Sequence, residues 1–133
     1  MNIMPKFDLY RKIRWHALVH EYGLDGQRLL PWDGYSMPFG GGWCVVRPHT
    51  VSEPHTQIDQ ELFIAIKGKG SVVIGETTYP FEMGDIVVIP KHTNHYVIND
   101  SDEDFHFYVI WWDEAHVKRY MNELNDETGC LND

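Results

Sequence analysis

The sequence predicts an all-β domain of the sandwich or barrel kind, followed by a short C-terminal helix. Two observations carry that expectation. From Trp43 to Trp112 the chain is a succession of short apolar stretches, each ended by Gly, Pro, Asn or Asp, as strands joined by tight turns are. After Asp113 the pattern changes, and Val117, Tyr120, Met121 and Leu124 recur at helical spacing.

The elements follow in order. Phe7, Tyr10, Ile13, Ala17 and Leu18 fit a helical stripe, whereas Trp15, Ala17 and Val19 alternate as on a strand, so the first segment stays open between the two. Residues 23–42 are rich in Gly and contain Pro31 and Pro38, which reads as a loop or a wandering edge segment. Strands are expected at 43–46, 61–66, 71–74, 77–81, 85–89, 95–98 and 105–112. Gly75-Glu76 joins two of them as a two-residue turn with Gly first. A helix over 114–124 has Asp113 as its N-cap. Residues 1–42 are then an extension packing on the barrel, 43–113 the barrel, and 114–133 the helix and tail.

Length and composition bound what the chain can be. At 133 residues it has the size of one domain with one core. A formal charge of -9 argues against nucleic acid, because binding phosphates relies on clustered Lys and Arg. No apolar run reaches the roughly 18 residues of a membrane span. The opening Met1-Asn2-Ile3-Met4-Pro5-Lys6-Phe7-Asp8 carries charges where a secretory leader is apolar; a cytoplasmic protein is expected. Cys44 and Cys130 lack CxxC spacing and read as a buried thiol and a tail thiol. The acidic stretches at 100–104 and 123–127 read as solvated surface.

Two stretches carry the chemistry. The first holds His55, Gln57 and Glu61 and runs on to Gly68; the second runs from Gly84 through Pro90 and His92 to His95 and Asn99. Side chains on a strand alternate, so His55 and Gln57 share a face, as do Asp59 and Glu61. His95 opens a separate strand. A closed barrel can aim all of these into one cavity, and imidazoles converging with a carboxylate are the usual makings of a divalent transition-metal site.

These stretches resemble the paired motifs of the cupin superfamily. The first motif reads G-x5-H-x-H-x3-4-E-x6-G. Here His55, Glu61 and Gly68 are in register, His49 stands at the leading Gly, and Gln57 stands at the second His. The second reads G-x5-P-x-G-x2-H-x3-N. Gly84, Pro90, His95 and Asn99 fit it, with His92 at the inner Gly. The resemblance spans roughly residues 43 to 112 and implies a double-stranded β-helix, a jelly roll with a metal inside. It makes His55, Glu61 and His95 ligands, with Gln57 a fourth ligand or a catalytic contact. Two His and one carboxylate suit Fe(II), while Mn, Ni and Zn are also compatible.

The remaining histidines read differently. His16, His20 and His116 are surface residues, and His49 and His92 are loop residues near the barrel mouth. His106 lies on a strand between Phe105 and Phe107; facing inward it would be a catalytic candidate. Trp111 and Trp112 face opposite ways and read as core and interface.

A narrower resemblance rests on Pro38-Phe39-Gly40-Gly41-Gly42-Trp43-Cys44, Arg47-Pro48 and Trp111-Trp112-Asp113. These are similar to the cupin portions of hydrazine-forming enzymes, which join a metallo-cupin to a methionyl-tRNA-synthetase-like domain. That implies an amino-acid-derived substrate, N–N bond formation, and a separate synthetase-like partner for this chain. The expectation is a small metalloenzyme acting on a polar, carboxylate-bearing metabolite. A non-catalytic metabolite sensor, a metal-free isomerase or epimerase, and an Fe(II)-dependent dioxygenase are the alternatives. A homodimer is expected, since an exposed sheet edge needs cover.

Overall fold

The computed structural model describes residues 9–32 and 34–128. The expectations placed on Phe7, Cys130 and the tail beyond 128 lie outside these residues. Two antiparallel sheets face each other. Strands β1 (Val19–Glu21), β2 (Leu24–Leu30), β3 (Gly40–Val46), β5 (Gln60–Lys67), β8 (Ile86–Ile89) and β10 (Phe105–Trp112) form the larger, in the order β1-β2-β3-β10-β5-β8. The smaller takes β4 (Thr50–Val51), β6 (Lys69–Ile74), β7 (Thr77–Glu82) and β9 (His95–Asn99), in the order β4-β9-β6-β7. This is the expected jelly-roll barrel with one C-terminal helix.

Alternation builds the interior. On β5, Glu61, Phe63 and Ala65 are buried while Leu62, Ile64 and Ile66 are half-exposed; on β10, Phe105, Phe107 and Val109 are buried. They meet Val72, Phe81 and Val97 from the other strands. Phe81 and Phe105 pack edge to face at 5.6 Å, and Phe63 lies 4.8 Å from Phe107. Full burial of one such ring contributes about 2–3 kcal/mol, so this aromatic plug fixes how the two sheets face each other.

The turns behave as their residues require. Gly75 opens the β6–β7 hairpin at φ 62°, the positive value that a Gly-first two-residue turn needs. Asn99 is buried and fully bonded. Its Nδ2 donates to the carbonyls of Val46 and Glu103, and its Oδ1 accepts from the Ser101 amide and hydroxyl. The motif asparagine thus ties the β9–β10 turn to β3.

The alternatives left open for the first forty residues are decided here. Trp15–Ala17 form a single 3-10 turn, and β1 and β2 add a hairpin to the edge of the larger sheet. The segment read as a loop or a wandering edge is thus in part an edge strand. Outside it, the Arg14 amide donates to Gln27 Oε1 and Arg11 donates to the Leu29 carbonyl. Helix α1 (Glu114–Thr128) begins where expected, the Asp113 carboxylate accepting from the Ala115 amide at 2.9 Å. It runs four residues past the expected end. Val117, Tyr120 and Leu124 are half-buried and Met121 is exposed.

Candidate metal centre

His55 and His95 are far apart in sequence and are brought together by their backbones. They form an isolated antiparallel bridge, exchanging N–H···O bonds of 3.3 and 3.1 Å. Directly opposed residues project to the same face, and the two imidazoles lie 4.5 Å apart. Glu61 arrives from the other sheet, on β5. Ligand atoms of His55, Glu61 and His95 all fall within 4.8 Å of one another.

The hydrogen bonds fix which nitrogens face the cavity. His55 Nδ1 meets the Glu53 carbonyl at 3.1 Å, and His95 Nδ1 meets the Thr93 carbonyl at 2.9 Å. A carbonyl only accepts, so each Nδ1 carries the proton and each Nε2 presents a lone pair inward. His95 Nε2 then faces Glu61 Oε1 at 3.1 Å, both atoms buried and neither with a hydrogen-bond partner. Two acceptors buried against each other cost about 1–3 kcal/mol each. A cation between them relieves that cost, so the donor set fits a divalent metal. Without one, a proton on His95 can pair the two atoms: burial acts to lower the His95 pKa, but Glu61 and the Thr93 carbonyl outweigh it and the net shift is upward.

His55 and Glu61 open into a cavity of about 270 Å³, with His95 buried behind them. Phe63, Phe107 and Val109 belong both to its wall and to the core, so the packed interior grades into the open site. Gln57 is on the wall, and so is Asp59, although residues 56–59 are not strand and the expected alternation does not apply to them. Cys44 lines it too. Burial and the neighbouring Glu61 push its thiol up to about 12, which keeps it protonated at neutral pH.

Tyr22 is a cavity residue beside the triad that sequence reasoning missed. Its ring stacks on His55 at 4.8 Å and 24°, it lines the cavity, and its backbone has φ 55°. A left-handed conformation is a strain for a residue with a Cβ, and here the Glu53 amide bonds the Tyr22 carbonyl at 2.7 Å. The β1–β2 turn is thereby fastened to the segment that carries His55.

One sequence expectation changes at this site. His106 does not join the cavity. Strand parity gives the inward positions to Phe105 and Phe107, and His106 faces outward, accepting from Trp43 Nε1 at 2.9 Å with Trp15 edge-on at 5.7 Å. Burial lowers its pKa, in keeping with a neutral acceptor. Trp111, read as core or interface, packs against the core and lines the cavity as well. His49 and His92 stay outside it. Each occupies a motif glycine position, and each has a positive φ, 58° and 61°. His49 Nε2 is 2.7 Å from Asp102.

Comparison with known proteins agrees with this geometry. The chain is 45% identical to the solved plu4264 protein from Photorhabdus luminescens, covering 89% of this chain and 98% of that one, with a TM-score of 0.79. It is 36% identical to a Cupin 2 conserved barrel domain protein from Salinispora arenicola, covering 92% and 99%, with a TM-score of 0.78. A glucose-6-phosphate isomerase from Pyrococcus horikoshii is 36% identical over 63 residues, 43% of this chain and 33% of that protein. The chain thus spans about a third of the length of this curated relative. The cupin domain model matches residues 42–111, more than half of the sequence and the whole of the metal triad, and the chain belongs to the cupin family.

Proposed function

We propose that this protein is a metal-dependent enzyme acting on a small polar metabolite that bears a carboxylate. The observation that carries the reading is the buried, donorless contact between Glu61 Oε1 and His95 Nε2. His55, Glu61 and His95 would hold the ion, with Gln57 as a fourth ligand or a contact to substrate. When bound, the ion supplies Lewis acidity or, as iron, a centre for oxygen chemistry.

The chain's own residues supply the rest. Glu53 and Thr93 lock the imidazole tautomers through their carbonyls. Glu61 offsets one unit of a dication's charge, leaving the centre net positive and attractive to a carboxylate. Phe63, Phe107 and Val109 keep one wall dry. An amino-acid-derived substrate, delivered by a separate activating partner, fits this electrostatics.

Elemental analysis of protein as purified, followed by turnover assays on Fe(II), Zn and Mn forms, tests the proposal. Stoichiometric metal that is lost in His55→Ala supports it. Absence of metal, with no loaded form active on amino-acid-derived or oxygen-dependent substrates, refutes it. A second reading is isomerisation of a small hydroxy-carbonyl compound, which the partial likeness to glucose-6-phosphate isomerase favours. Full activity in chelator would select its metal-free, acid–base form, and saturable binding without turnover would select a sensor.

A further inference from the structure

We infer that Arg28, carried on Trp111, is the anion-binding end of the cavity and takes the carboxylate or phosphate of the metabolite whose other end meets the metal. The inference deepens the metal-centre reading and rests on it for the ligand's second contact. Strand register places the parts. Glu61, Trp111 and Gly40 are cross-strand neighbours on β5, β10 and β3, and the next inward row is Phe63, Val109, Gly42 and Arg28. The Glu61 and Arg28 backbones are therefore three strand spacings apart, about 14 Å along the sheet, and the Arg28 side chain reaches back over Trp111, the cross-strand neighbour of Glu61. Both ends line the same cavity.

The platform is built by close approach. A Cβ at Gly40 would collide with the indole of Trp111, whose nitrogen and six-membered ring lie directly over that position. A glycine there lets the ring lie down on β3. The Arg28 guanidinium sits above it, Cζ 5.9 Å from the ring centroid, a placement the ring's quadrupole favours. Glu21 then orients it, accepting from Nε at 3.2 Å and Nη2 at 3.1 Å on a single oxygen. Among the described residues Nη1 has no partner, and Arg28 is the one Lys or Arg on the cavity wall.

The ion pair does not preclude a ligand. Its side chains are 63% and 40% exposed, and pairs so exposed contribute at most about 1 kcal/mol. A ligand oxyanion can take the free Nη1 edge or displace Glu21 at little cost. The planar fork suits a carboxylate or a phosphate equally.

Titration calorimetry on the Zn-loaded full chain tests this with succinate, its monoamide succinamate, and phosphoglycolate. In the wild type succinate should bind about tenfold tighter than succinamate, since one charge-assisted contact is at stake. That ratio should fall to near one in Arg28→Met, which keeps length and stacking, and should rise in Glu21→Gln, which frees the guanidinium. Arg28→Lys should fall between. Tighter phosphoglycolate than succinate would identify phosphate as the source of the anion, and the reverse would identify carboxylate. An unchanged ratio in folded Arg28→Met overturns the inference and leaves Arg28 a surface ion pair, as does failure of all three probes to bind at millimolar concentration. The same titrations on His55→Ala separate the two readings. A charge preference that survives in His55→Ala, together with a wild type that takes up no metal, keeps the Arg28 subsite and discards the metal centre; metal uptake by the wild type with no charge preference does the opposite.

Discussion

Replacing Glu61 by Gln should raise the stability of the metal-free protein while nearly abolishing its stabilisation by metal. The opposite signs follow from one contact. In the metal-free site, Glu61 Oε1 and His95 Nε2 are two acceptors 3.1 Å apart. An amide N–H at that position donates to the imidazole and turns the clash into a hydrogen bond, a gain of about 1 kcal/mol. With Zn at about a hundredfold above Kd, the wild type should gain about 2.7 kcal/mol. For 133 residues at about 2.1 cal/mol/K of unfolding entropy per residue, this is an upward Tm shift of about 10 °C. A neutral ligand that weakens binding about a hundredfold leaves about 0.4 kcal/mol, or under about 2 °C, at the same Zn concentration. Differential scanning fluorimetry with and without Zn reads both numbers. Alkaline buffer is needed, because the raised His95 pKa makes its ion pair with Glu61 stabilise the metal-free wild type fully below about pH 6.5 and lose that contribution as pH rises through the folded value. A metal-free variant less stable than wild type that still shifts by about 10 °C would refute the reasoning.

Three other outcomes are expected. Tyr22→Ala should weaken Zn binding about tenfold by releasing His55, whereas Tyr22→Phe keeps the stacked ring and should bind as the wild type does; competition with a chromogenic chelator measures both, and equal losses would remove Tyr22 as a positioning residue. His92→Gly should stabilise the fold by about 1 kcal/mol, since a φ of 61° strains a side-chain-bearing residue and not glycine; urea denaturation reads the sign. Asn99→Ala should cost about 3 kcal/mol, because it strands the Val46 and Glu103 carbonyls and the Ser101 donors that Asn99 satisfies, and a loss under 1 kcal/mol in the same assay would contradict that role.

The barrel strands were legible because each has a side-chain period and a hard stop. Gln60–Lys67 alternates buried and half-buried residues and ends at Gly68, and Phe105–Trp112 does the same after its turn. Leu24–Leu30 was not legible. Its inward positions are Leu24, Gly26 and Arg28, one small and one charged, so no apolar alternation survives. That is the composition expected of a cavity wall, where side chains must leave room. The same cause hid the cavity-lining residues there: Arg28 and Tyr22 lie on a segment whose strand character comes from pairing with β3 and from the turn it closes. The face of His106 was likewise undetermined until parity could be anchored on Phe105 and Phe107.

The departures from the family motifs are of two physical kinds, and only coordinates separate them. His49 and His92 replace glycines yet keep the left-handed backbone, with φ 58° and 61°, beside the retained Gly68 and Gly84 at 90° and 94°. The cost of a side chain there is local strain, and neither imidazole lines the cavity. Gln57 replaces a ligating histidine on the wall itself, so its cost falls on the chemistry. The fold tolerates the first kind because a well-packed barrel over-determines those turns. The second kind leaves two imidazoles and one carboxylate facing an amide, a centre with fewer strong donors and more room for a ligand to coordinate. On that argument Gln57→His should tighten metal binding, read by competition with a chromogenic chelator, and an unchanged affinity would show that position 57 does not reach the metal.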